Sequence, residues 1–122
     1  MLDALKAYLT AKGYKDICLD YMPDPSKQLD VIYLGEWSYA VPAINDGTGV
    51  HYIQVQVRRA TYSQAREACF SLFFLLDSDV NEALIPLTDE VSCILRPRRG
   101  PTILERGDTP HVTFYFELAL WG

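Results

Sequence analysis

Two histidines, three cysteines, a scatter of carboxylates and one arginine cluster are the residues of this chain whose types could do chemistry. His51 and His111 could ligate a metal or move a proton, yet neither stands in an HExxH or in a histidine–cysteine spacing. No GxSxG surrounds Ser38, Ser63, Ser71 or Ser92, so a serine nucleophile on a strand-to-helix elbow has no sequence support. Glu36, Glu105, Asp108 and Glu117 could converge in space as paired carboxylates, but nothing near any of them marks a perturbed acid. Cys18, Cys69 and Cys93 are an odd set with no CxxC pair, each in an apolar stretch, and read as reduced core cysteines of a cytoplasmic product. The expectation is a chain with no catalytic residues, no metal and no cofactor.

Two further stretches mimic ligand loops and fail on detail. "NDGTGVHY" has a glycine pair, but a phosphate loop needs GxxxxGK[ST] or GxGxxG ahead of a helix, and here a strand pattern follows. "DSDVNEALIPLTDE" begins like a calcium loop with Asp77, Asp79 and Asn81, yet its glycine position holds Glu82 and its twelfth position Thr88. What remains is "LRPRRG", which sets Arg96, Arg98 and Arg99 together, with Arg58, Arg59 and Arg106 as possible neighbours. Such a cluster is either a solvated loop base or a patch that fixes the orientation of an acidic partner.

The elements that would position these residues follow from periodicity. Leu2, Leu5 and Leu9 predict a short first helix, with Gly13 just past its end. Segments near 15–20 and 30–35 read as strands, a hairpin or a neighbouring pair, separated by the turn residues Pro23, Asp24, Pro25 and Ser26. Residues 36–49 read as an irregular loop, and "HYIQVQVRR" then alternates as a strand, with Ile53, Val55 and Val57 on one side and Gln54, Gln56 and Arg58 on the other.

Thr61 with Gln64 marks a helix start, and Ala65, Ala68, Cys69, Leu72, Leu75 and Leu76 form its apolar stripe, which stops near 77–81. "VSCILRPRR" and "HVTFYFELALW" are the last strands, with Val112, Phe114, Phe116, Leu118 and Leu120 inward, and "GPTILERGDTP" between them reads as a long protruding hairpin loop. The fold class is α+β: an antiparallel sheet of four to five strands with two helices packed on one face. Its second face would carry Gln54, Gln56, Arg58, Ser92, Ile94, Arg96, Thr113, Tyr115 and Glu117, with Trp121 in phase.

At 122 residues, 49% hydrophobic and 22% charged, the chain suits a single globular domain over 1–122. A net charge of −5 disfavours broad nucleic-acid binding, which needs a basic face. The longest apolar run, "CFSLFFLL", is short of the ~20 residues that span a bilayer, and no basic leader precedes Leu2. No membrane segment and no secretion are expected.

Three blocks carry a family resemblance: "ICLDYMPDPSKQLDVIYLGEW", "IQVQVRRATYSQAREACFSLFFLL" and "ILRPRRGPTILERGDTPHVTFYFEL". In this order they resemble the small minor capsid or tail-terminator proteins of tailed bacteriophages and prophages, over nearly the whole chain. The most specific parts are the "QVQVR" strand leading into a Tyr-x-x-Ala helix and the loop before the aromatic last strand. Where the family often has a Leu-Gly-Arg-Asp type sequence, this chain has Leu104-Glu105-Arg106-Gly107-Asp108.

The resemblance implies a non-enzymatic assembly subunit. It would form a hexameric ring, preformed or assembling only on the tail, at the head-proximal end of a non-contractile tail in the virion. Made in the host cytoplasm, the ring would stop tail-tube growth and join tail to head. Its partners would be further copies of itself, the major tail tube protein and a head-connector protein, with DNA only as cargo passing through. Contacts to subunits or tube would come from Gln54, Gln56, Arg58, Ile94, Arg96, Arg98, Arg99, Arg106 and Tyr115. A head-closure connector is the alternative, and a small enzyme with a site on the open sheet face a more distant one.

Overall fold

The structure is a computed structural model that describes residues 2–36, 50–77, 85–86, 92–105 and 111–121, with backbone only at 50–51, 85–86, 92–98, 104–105 and 120–121. The first helix, α1 (Leu2–Ala11), buries Leu2, Leu5 and Leu9. It ends where Gly13 takes φ 95°. There the Tyr14 amide donates to the Leu9 carbonyl and the Gly13 amide to that of Thr10, both at 3.1 Å. This paired closure satisfies two end carbonyls and needs a left-handed residue that glycine adopts without strain. The second helix, α2 (Tyr62–Leu76), starts where the Thr61 hydroxyl accepts the Gln64 amide at 3.2 Å. Ala65, Cys69, Leu72 and Leu76 form its buried side, as the stripe predicts.

The strands are β1 (Ile17–Leu19), β2 (Val31–Glu36), β3 (Val50–Arg59), β4 (Ile85–Pro86), β5 (Ser92–Glu105) and β6 (Val112–Trp121), in the spatial order β1-β2-β3-β6-β5-β4. The fold is α+β with a mostly antiparallel sheet, β1 alone running parallel to its neighbour. That parallel pair excludes the hairpin reading of segments 15–20 and 30–35 and keeps the neighbouring-pair one. Asp16 and Asp20, at φ 59° and 55°, bracket the three paired residues. The Ile32 amide reaches the Asp16 carbonyl at 2.9 Å, and the Asp20 amide reaches the Leu34 carbonyl at 2.8 Å. Aspartate tolerates this left-handed geometry better than most residues, so the chain can turn out of β1 and come back alongside it.

Of the expected loop over 100–110, residues 100–105 belong to a strand and 106–110 lie outside the described residues. Strand β5 runs to Glu105, pairing Thr102 with Tyr115 and Ile103 with Phe114. Register shifts between Pro97 and Arg99, Arg99 and Thr102, and Ile103 and Glu105 accommodate Pro97 and Pro101, which cannot donate to a ladder. The core sits on one side of this sheet. Ile32, Val57 and Phe114 lie in one cross-strand row and Leu34, Val55 and Phe116 in the next. These side chains share a single buried cluster with Leu5 and Leu9 of α1 and with Ala65, Cys69, Leu72 and Leu76 of α2. Phe73 meets Phe116 edge-on, with ring centroids 5.4 Å apart.

Candidate functional site: the second sheet face

Because strand residues alternate sides, the core rows above set the other phase on the second face. Cross-strand pairing arranges that phase in rows. Tyr33, Gln56, Tyr115 and Thr102 make one, and Gly35, Gln54, Glu117 and Arg99 the next. Tyr33, Gln54, Gln56, Tyr115 and Glu117 are each half-buried, while Arg99 and Thr102 are exposed. The amide of Gln56 donates to the Gln54 carbonyl oxygen at 2.8 Å. Arg99 donates through Nη1 to the Tyr115 hydroxyl at 2.8 Å, stands 6.0 Å from that ring and faces Glu117 in the register. The result is a platform of two phenols and two amides flanked by one cation and one anion.

Tyr33 and Gly35 depend on each other. A Cβ built at position 35 would run into the Tyr33 ring, so the glycine lets the ring lie along the strand. Burial, and then the nearby Asp20 charge, push the Tyr33 phenol above its usual pKa.

A third row, Val31, Arg58 and Thr113, belongs to this face by phase yet is closed, at 0%, 4% and 3% exposure. Segment 21–30 meets this row at Arg58, whose side chain is the tie. Its Nη2 donates to the carbonyls of Pro23 at 2.7 Å and Gln28 at 2.6 Å, and its Nε to that of Leu29 at 3.0 Å. The planar guanidinium suits three convergent carbonyls, which a point-charge ammonium could not all satisfy. Arg58, expected as a contact residue, thus directs these donors to carbonyls of its own chain. Segment 21–30 is itself shaped by Asp24, whose carboxylate accepts from the Ser26 amide at 2.9 Å and its hydroxyl at 2.8 Å. The Ser26 amide, then the Ser26 hydroxyl, hold the Asp24 carboxyl below its usual pKa, with Arg58 adding to the effect.

The other expected contact residues divide by position. Gln54, Gln56, Tyr115 and Arg99 come together on the platform. Arg96 pairs with Ala119 and Ile94 with Trp121, which places both at register positions in the phase of this face. Arg98 lies in β5 at a register shift, and Arg106 lies outside the described residues. Of the four carboxylates, Glu36 pairs with Ile53 and so has core phase, whereas Glu117 has the opposite phase; Glu105 stands opposite Thr113, and Asp108 is outside the described residues. The calcium-like stretch from Asp79 to Glu82 and the 37–49 loop also lie outside them.

His111 is buried beside the first residue of β6, and Cys69 is buried with its thiol pushed up to about 12 by desolvation. Such a thiol is a core group rather than a nucleophile. Among the described residues no helix is long and apolar enough to cross a membrane, and no three His, Cys, Asp or Glu cluster as metal ligands would.

Two features escape the sequence reading. Tyr33 joins the platform because "VIYLGE" alternates in step with β3, a signal present in the residues. The outer side of α2 carries Phe74 at 50% exposure, with Phe70 beside it, rather than a polar surface. Neither a protein-family model nor a curated protein matches the chain.

Proposed function

We propose that this chain is a structural assembly protein of the tail-terminator type, forming a ring at the head-proximal end of a phage tail. The observation that carries the reading is the position of the segments that bear the resemblance. "IQVQVR" and "HVTFYFEL" are the adjacent central strands β3 and β6, and their outward residues Gln54, Gln56, Tyr115 and Glu117 make one continuous polar and aromatic platform. Tyrosine, with an apolar body and a polar tip, suits a surface that is wet in the free subunit and covered in the assembly. A cyclic ring needs two different patches on each subunit, and a sheet with one face in the core leaves the other to supply one.

Electron microscopy of the purified protein added to tail tubes tests this directly. Rings or capped tube ends are the expected result, and tubes that stay uncapped and keep growing would overturn it. Particles lacking the gene separate the terminator from a head-closure role: overlong tails mark the first, whereas normal tails beside leaking heads mark the second. The arginines give a finer test. Arg98→Glu combined with Arg99→Glu should leave the circular-dichroism spectrum intact and abolish assembly.

A further inference from the structure

We infer that the outer side of α2, at Arg66, Phe70 and Phe74, docks on the second sheet face of another copy of this chain. The inference rests on the ring reading above and names the second patch which that reading requires.

The sheet edges are poor places for copies to join. Strand β1 pairs over three residues and is bracketed by left-handed Asp16 and Asp20. At the other edge β4 pairs only through Ile85 and Pro86, and the rest of β5 carries two prolines and three register shifts. Short, kinked or proline-bearing edges resist added strands. Contact between copies then falls to side chains on the two faces.

On the helix side, Phe74 is half exposed, and the ring of Phe70 lies 6.1 Å from it, one turn earlier. Arg66 stands 4.7 Å over the Phe70 ring, so its cation is held level with the aromatic surface. Arginine and large aromatic groups are the types that concentrate binding energy at interfaces. Glu67 is exposed next to Arg66. The sheet platform mirrors this pattern, with Tyr33, Gln56 and Tyr115 as its ring and amide surface and Glu117 facing Arg99. Each patch thus offers aromatic groups beside one cation and one anion, so Arg66 can meet Glu117 while Glu67 meets Arg99. Pairing of two α2 helices would instead be two-fold and close after two copies, which a larger ring cannot use.

The test places p-benzoylphenylalanine at position 74, irradiates the concentrated full-length protein alone and with tail tubes, and maps the cross-link by mass spectrometry. Attachment to 33–35, 52–58 or 113–117 of a second copy is expected. Attachment to 62–76 of a second copy, or no cross-link between copies, overturns the inference. Phe74→Lys should lose ring assembly while keeping the folded spectrum, and unchanged assembly would count against the contact. The two readings fail separately. Tubes left uncapped by a protein that forms the expected cross-link refute the tail role and leave the contact standing. Capped tubes with the cross-link elsewhere refute the contact alone.

Discussion

Arg58→Ala should destabilise the fold rather than silence a binding surface. The Pro23 carbonyl is the most enclosed acceptor of this guanidinium, and the loss of its donor in a buried site costs about 1–3 kcal/mol. The Gln28 and Leu29 carbonyls are partly buried and can turn to water, which reduces each loss to about 0.5–1 kcal/mol. The sum is about 2–5 kcal/mol, a large share of the roughly 5–15 kcal/mol that holds a domain folded. With a urea dependence of about 2 kcal/mol per molar, the midpoint should fall by roughly 1–2.5 M. Urea titration followed by circular dichroism reads this, and amide exchange should rise across residues 21–31, where the tie is lost. Arg58→Lys should fall between, since one ammonium cannot reach all three carbonyls. Arg99→Ala, at an exposed site, should stay within about 0.5 kcal/mol of the parent. A midpoint unchanged in Arg58→Ala would refute the tie and return Arg58 to the contact residues.

Leu72→Ala removes a fully buried side chain from the joint core and should cost about 2–5 kcal/mol in the same titration. Gly13→Ala forces an ordinary residue to φ 95°, and a loss of about 1 kcal/mol is expected, without loss of helix in the spectrum. For Cys69 the folded thiol ionises near 12 against 9.0 in the unfolded chain. Above pH 9 the unfolded state therefore sheds its proton first, so stability should decline with rising pH in the parent and stay flatter in Cys69→Ala. Gln54→Lys with Gln56→Lys places two cations on the platform. The spectrum and midpoint should change little, while ring formation seen by microscopy disappears.

The helices were the most legible part of this chain. Leucines spaced three and four apart, a threonine cap and a glycine stop are local codes, and the buried sides of α1 and α2 follow them. Strand β5 was less legible because Pro97, Gly100 and Pro101 read locally as a loop. The ladder with β6 overrides that preference through its register shifts. Half of the platform could be read in advance, since Gln54, Gln56, Tyr115 and Glu117 alternate with obvious core residues. The exposed Phe74 was not singled out: the predicted stripe leaves both Phe73 and Phe74 off it, and only packing against Phe116 draws Phe73 to the core while Phe74 stays out.

By itself the sequence determined the phase of both helices and of the central strands β3 and β6, and so which of their residues share a side. That information is carried by spacings of two and of three to four, which any local backbone of that type must obey. Only the tertiary structure decided what covers each side. Arg58 has the same phase as Gln56 and Gln54, yet it is sealed while they are half open. The cause is segment 21–30, distant along the chain, which returns over that corner and brings three carbonyls to one guanidinium. No pattern within "QVQVRR" encodes where a segment some thirty residues away will lie. That placement was fixed by the parallel pairing of β1 with β2 and by the hydrogen-bonding demand of a buried cation.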